Sequence, residues 1–170
     1  MPEIEYVEDS MESEELLERL CPPVRNWFKD KFPDFTEPQK VAIPRILNGE
    51  HLLLCSPTGS GKTLTAFLTI IDDLVRRSLD GSLPDAVQCV YISPIKALAN
   101  DIEKNLLGPL GEIKERYLPS RAKEIKVGLR TGDTPQSERE KMLRKPPHIL
   151  ITTPESMGLG LASKRFRPIL

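Results

Sequence analysis

The sequence predicts an α/β domain, a parallel β-sheet flanked by helices. Three observations predict it. Short apolar runs, "HLLLC" (51–55), "QCVYIS" (88–93), "IKVGLR" (125–130) and "HILITT" (148–153), alternate with longer segments whose apolar residues recur at helical spacing. Each run is followed by a polar turn: "SPTGSGK", "SPIKA", "RTGDTP" and "TPES". The length of 170 residues, with 39% hydrophobic and 29% charged, suits one soluble domain with its own core. Strand–helix alternation gives right-handed βαβ units, whose post-strand loops gather at the carboxyl edge of the sheet. All four loops are therefore expected along one rim.

The elements follow in order. Residues 1–19 carry eight acids and one base, and the remaining residues carry seventeen acids and twenty-three bases. An acidic segment before a mildly basic body suits a phosphate-bearing partner. The expected division is an acidic segment with a short helix over 1–21 and a body over 22–170. "MESEELLERL" places Leu16, Leu17 and Leu20 at helical spacing, with Pro22 and Pro23 as its stop. "VRNWFKDKF" aligns Val24, Trp27, Phe28 and Lys31 on a second helix. "FTEPQKVAIPRILNGE" reads as a capped third helix. Thr36 is its N-cap, Pro38 lies in its first turn, Ala42, Ile43, Ile46 and Leu47 are buried, and Asn48-Gly49 closes it. Pro44 is expected to kink it. Further helices are expected over "KTLTAFLTIIDDLVRRSL", "PIKALANDIEKNLLGPL", "GEIKERYL" and "QSEREKMLR", and from "PESMGLGLA" onward.

Several classes are disfavoured. No apolar run reaches the length of a membrane-spanning helix. The acidic N-terminus lacks the basic-then-apolar order of a secretory signal, so a cytoplasmic protein without a membrane partner is expected. Cys21, Cys55 and Cys89 are widely spaced, with no CxxC and no nearby His pair, which points to free thiols.

The chemistry is concentrated in "SPTGSGKT", comprising Ser56, Pro57, Thr58, Gly59, Ser60, Gly61, Lys62 and Thr63. It follows the phosphate-loop pattern G-x-x-x-x-G-K-[ST], with Ser56 in place of the first glycine. Gly59 and Gly61 let backbone N–H groups surround a polyphosphate, and the following helix adds its positive end. Lys62 is placed to reach the β- and γ-phosphates of a bound nucleotide, and the Thr63 hydroxyl to hold Mg²⁺.

Taken with "FTEPQ" upstream and "YISPIKALAND", "RTGDTP" and "ILITTPESM" downstream, this loop resembles the first motor domain of superfamily 2 helicases, in particular the large-helicase-related group of DExH-type enzymes. The resemblance covers about residues 22–161 and implies a RecA-like P-loop NTPase fold. It implies Lys62 and Thr63 as the residues acting on ATP, and Thr36 and Gln39 as the Q motif, with the Gln39 amide facing adenine. Trp27, Phe28 and Phe35 are open candidates for an aromatic against the base, beside a plain core role. It implies that Pro94 and Lys96 (motif Ia), Thr131 and Gly132, and Thr153, Pro154, Glu155 and Ser156 (motif Ib) hold the sugar–phosphate backbone of one strand. Hydroxyls and free helix N–H groups contact phosphates without reading bases, so binding is expected to be sequence-independent and salt-sensitive. Each loop taken singly also fits an ordinary helix N-cap.

Hydrolysis in such motors requires an acid for Mg²⁺, a group that positions water and an arginine. The resemblance puts the acids in a D-E-x-H motif on the strand after "TPES", and the 170 residues end at "SKRFRPIL" with no such motif. "IDDL" (71–74) lies inside a helix and is no substitute. The expectation is the N-terminal portion of a longer helicase, partnered by a Walker-B strand and a second RecA-like domain, inactive alone and prone to self-association through an unpaired sheet edge. The competing reading is a non-catalytic, nucleotide-dependent nucleic-acid-binding or adaptor module. A small-metabolite P-loop kinase leaves "FTEPQ" and the three downstream loops unexplained.

Overall fold

The first described helix is acidic and amphipathic: α1, Ser13–Arg19, with Glu14 and Glu15 in its first turn and Arg19 in its last, as the helix dipole favours. The computed structural model describes residues 6–7, 9–94 and 102–170. Its contacts divide the chain into two units, Met1–Arg76 with Lys104–Ser120, and Arg77–Glu103 with Arg121–Leu170.

The first unit is helical. α1 is followed by α2 (Pro22–Lys31), α3 (Glu37–Leu47), the 19-residue α4 (Lys62–Asp80), which continues into the second unit, and α5 (Gly108–Arg116), entered through a π-helical turn at Glu103–Leu107. Pro22 and Pro23 stop α1 as expected, but they also occupy the first turn of α2, where a missing N–H is harmless. Leu16 and Leu20 are buried, each worth about 2 kcal/mol of hydrophobic stabilisation. α3 begins with a capping box: the Gln39 side chain takes the Thr36 N–H at 2.9 Å. It ends in a Schellman turn, with Gly49 at φ 80°, Gly49 N–H on Ile46 O and Glu50 N–H on Arg45 O. Ala42 and Ile43 are buried as expected, whereas Ile46 and Leu47 are half-buried.

Pro44 lies inside α3 and cannot donate to the Lys40 carbonyl four residues back. That carbonyl instead accepts the N–H of Met11 at 3.2 Å. The acidic segment is thus stitched to the helix by the bond that proline withholds. Asp72 of α4, fully buried, secures the other end: its carboxylate accepts the Cys21 N–H at 2.6 Å and Arg76 Nε at 2.7 Å, while Arg76 also donates to the Arg19 carbonyl. Burial, followed by the Asp72 charge, pushes the Cys21 thiol up to about 12. α2 meets α5 through Glu112, which accepts Trp27 Nε1 at 2.6 Å and Lys31 Nζ at 2.8 Å.

The second unit carries the sheet: β1 (Cys89–Ile92), β2 (Val127–Arg130) and β3 (Ile149–Thr152), parallel and in the order β1-β3-β2. β3 is central and buried throughout, as a strand flanked on both edges must be. The register aligns Ile92, Thr152 and Arg130 as the last residues of the three strands. α6 (Gln136–Arg144) follows β2, α7 (Pro154–Ala162) follows β3, and a 3₁₀ turn spans Arg167–Ile169.

Two expectations change. The run 51–55 forms no strand: it pairs with none of the described strands, and Leu53 is 85% exposed. Its composition suits a buried strand, but a strand exists only as part of a ladder, and a single extended segment has no partner for its N–H and C=O groups. The one-rim expectation holds for the loops after β2 and β3 and for Ser93–Pro94 after β1, all within the second unit; the loop 56–61 belongs to the first unit. Of the helix expected over 94–110, residues 95–101, Lys96 among them, lie outside the described residues, and 102–110 is helical as expected, through the π-helical turn into α5.

Candidate nucleotide and nucleic-acid sites

The phosphate loop is built between α3 and α4. Gly59 and Gly61 both take positive φ, 83° and 88°, a conformation that L side chains rarely tolerate and that turns successive N–H groups the same way. At Gly59 a Cβ would meet open space. At Gly61 it would stand 2.7 Å from Gln39 Nε2 and 3.5 Å from Thr36 Oγ1, so only glycine lets the loop rest on these two side chains. Thr36 Oγ1 donates to Ser60 O at 2.9 Å, and the Ser56 and Ser60 hydroxyls lie 2.6 Å apart. Lys62 Nζ donates back to the carbonyls of Ser56 and of Pro57, the latter at 2.7 Å. Thr65 N–H and Oγ1 both bond Gly61 O at 2.9 Å, fixing the first turn of α4. Thr63 is half-buried in that turn, and Pro57 and Thr58 are exposed at the loop's outer side. Thr36, Gln39 and Ser56–Thr63 therefore form one constellation.

Gln39 is 3% exposed, with its carbonyl oxygen engaged by the capping box and its amide nitrogen beside Gly61. The aromatic candidates are core: Phe28 stacks on Phe35 at 4.0 Å and 14°, Trp27 is edge-on to Phe32, and all three candidates are at most 4% exposed. Asp72 is committed to Cys21 and Arg76, which removes it as a metal-holding acid.

The strand-end loops form a second constellation. Ser93 N–H bonds Thr152 O at 3.1 Å, bringing the Ser93–Pro94 turn beside β3. Thr131 N–H donates to Thr134 Oγ1 at 2.8 Å, and Gly132 is exposed. Thr153 is the N-cap of α7, its Oγ1 accepting the Ser156 N–H at 3.3 Å; both are buried, while Pro154 and Glu155 are exposed. Thr152 Oγ1 donates to Arg130 O at 2.7 Å and ties the two loops together. Sequence reasoning missed Arg139. From α6 its guanidinium bonds the carbonyls of Thr134 (2.8 Å), Thr131 (3.2 Å) and Gly132 (2.7 Å), closing the loop. Nothing in a lone arginine eight residues past the turn signals that role.

The family model for the DEAD/DEAH box helicase matches residues 36–168, which takes in both constellations. The chain belongs to the DEAD/DEAH box helicase family. This helicase domain is 47% identical over its whole length to the ATP-dependent helicase Lhr-Core of Methanocaldococcus jannaschii, covering 20% of that protein. It is 54% identical over 87% of its length to the Lhr-Core of Methanothermobacter thermautotrophicus, covering 17%. Among solved structures it resembles Mycobacterium smegmatis helicase Lhr bound to ssDNA and AMP-PNP, with a TM-score of 0.75, 43% identity and coverage of 91% of this chain and 19% of that one. The chain spans about a fifth of the length of the curated relatives it matches. That structural likeness makes the helicase domain RecA-like. Among the described residues no helix is long and apolar enough to cross a membrane.

Proposed function

We propose that the chain is the ATP-binding front portion of an ATP-dependent nucleic-acid helicase of superfamily 2, DExH type, acting in the cytoplasm. The observation that carries this is the contact of Gly61 with Gln39 and Thr36, because it joins the phosphate loop to the residues assigned to the base. ATP is held by Ser56–Thr63 with Thr36 and Gln39, and Mg²⁺ by Thr63. The residues fit: two positive-φ glycines, an ammonium group and a hydroxyl stand at the start of a 19-residue helix. A bound triphosphate competes with the Ser56 and Pro57 carbonyls for the Lys62 ammonium. The ion, when bound, neutralises phosphate charge; this chain's own residues bind and orient. With Gln39 Oε1 taken by Thr36 N–H, the Nε2 donor is the part of the amide best suited to adenine.

Pro94, Lys96, Thr131, Gly132 and Thr153–Ser156 support one nucleic-acid strand by its backbone. The body of this ATP-binding portion is 22–170, preceded by the acidic segment 1–21. A Walker-B strand and a second RecA-like domain, supplied by the remainder of a longer protein, complete hydrolysis and unwinding, and the isolated 170 residues bind ATP without turning it over.

The test is nucleotide and strand binding by the 170-residue protein. Lys62→Ala weakens a fluorescent ATP analogue at least tenfold, matching a charged hydrogen bond of about 1.5–3 kcal/mol, while Lys96→Ala weakens a labelled single strand. Unchanged nucleotide binding in Lys62→Ala, or ATP turnover by the isolated chain, overturns the reading.

A further inference from the structure

Beyond the motif loops, one basic turn is held in place by an unusual contact. The stretch Ser163–Leu170 follows α7 with Lys164, Arg165 and Arg167 exposed and Phe166 only 4% exposed among them. Phe166 is pinned by a guanidinium: Arg130 Cζ sits 3.6 Å from the centre of its ring. Arg130 Nη1 is buried with no hydrogen-bond partner among the described residues, so the ring faces a cation that has given up water there. Burial, then Arg139, lowers the Arg130 pKa from its ordinary value, in keeping with a crowded electropositive corner. Gly160 makes the contact possible. A Cβ there would lie 2.6 Å from Phe166 Cδ1 and 3.0 Å from Arg130 Nη1. The turn itself is ordered, with Phe166 and Arg167 N–H groups both bonding Ser163 O, at 3.2 and 3.0 Å.

Arg130 is also the last residue of β2. Its carbonyl receives the Thr152 hydroxyl, and Thr131 follows it directly. The clasp therefore ties the turn that carries three exposed cations to the last residue of β2. Between 130 and 170 the sequence has eight Lys and Arg against four Asp and Glu, and the turn 163–170 has no acid at all. A surface of that sign suits a polyanion with evenly spaced charges, although the neighbouring hydroxyl-bearing loops also carry Asp133 and Glu155.

We propose that Lys164, Arg165 and Arg167, positioned by the Arg130–Phe166 clasp, form an additional phosphate-backbone contact for a single nucleic-acid strand, extending the surface of the motif loops. The inference rests on the helicase reading, and its test separates the two. Binding of a fluorescein-labelled oligothymidylate to the 170-residue protein is followed by anisotropy across a salt series. Replacing all three with glutamine (Lys164→Gln, Arg165→Gln, Arg167→Gln) lowers affinity about tenfold or more and reduces the log–log salt slope by about 2, at roughly 0.7 per lost phosphate contact on single strands. Phe166→Leu keeps the charges but removes the ring; the folded variant, checked by its melting curve, loses affinity several-fold. Wild-type affinity and slope in the triple variant overturn the contact, and wild-type affinity in folded Phe166→Leu overturns the clasp. Equal competition by polyglutamate and by unlabelled oligothymidylate overturns the assignment to nucleic acid. No binding by the unsubstituted protein counts instead against the helicase reading.

Discussion

Gly61 carries two constraints at once, its left-handed φ of 88° and the absence of room beside Gln39. Gly59 carries only the first, at φ 83° with open space around it. Comparing alanine at the two positions isolates the contact. Gly59→Ala costs the left-handed strain, about 1–2 kcal/mol. Gly61→Ala costs that and more, because Gln39 must leave the capping box, which is itself worth about 1 kcal/mol. Urea unfolding checks the difference, and Gly61→Ala also loses ATP-analogue binding. Equal destabilisation by both substitutions rules out the Gln39 contact. At this scale the sequence is readable where a residue type has one use: Thr36 as N-cap and the loop glycines follow from their chemistry. Arg139 and Phe166 were opaque, because an arginine or a buried aromatic fits many partners and only the three-dimensional arrangement selects one.

Among the elements, β3 shows how one buried side chain governs a sheet. His148, just before it, is fully buried; its N–H bonds Lys126 O, its C=O receives Gln88 and Cys89 N–H, and its Nδ1 accepts the Lys126 N–H at 2.9 Å. That acceptor role requires the neutral ring. Burial first, then Lys126 and Lys123, lowers its pKa, with Asp85 partly opposing. The unfolded chain consequently binds the proton more readily than the folded one. Stability is fully present above the ordinary imidazole value of about 6.5 and declines as pH falls below it. Thermal melts across this range check the decline. His148→Gln flattens it, and an equally steep fall in that variant excludes His148 as the cause. Element types were legible where periodicity is local: α6 and α7 begin at the residues that "QSEREKMLR" and "PESMGLGLA" mark. The run 51–55 was not, because alternation and apolarity describe a face to be buried without naming what buries it.

For the whole molecule, that run is the largest departure from expectation. Leu53 at 85% and Leu52 at 38% exposure present apolar surface on a segment that pairs with none of the described strands, a template for association. Sedimentation velocity is expected to show concentration-dependent self-association of the 170-residue protein, reduced in Leu53→Lys. A monomer at every concentration rejects it.

The Arg130–Phe166 clasp binds three positions of the chain into one packing unit. Any side chain at 160 displaces the ring, and a smaller residue at 166 uncovers the buried guanidinium nitrogen. Substitutions at 130, 160 and 166 are therefore coupled, and their costs do not simply add.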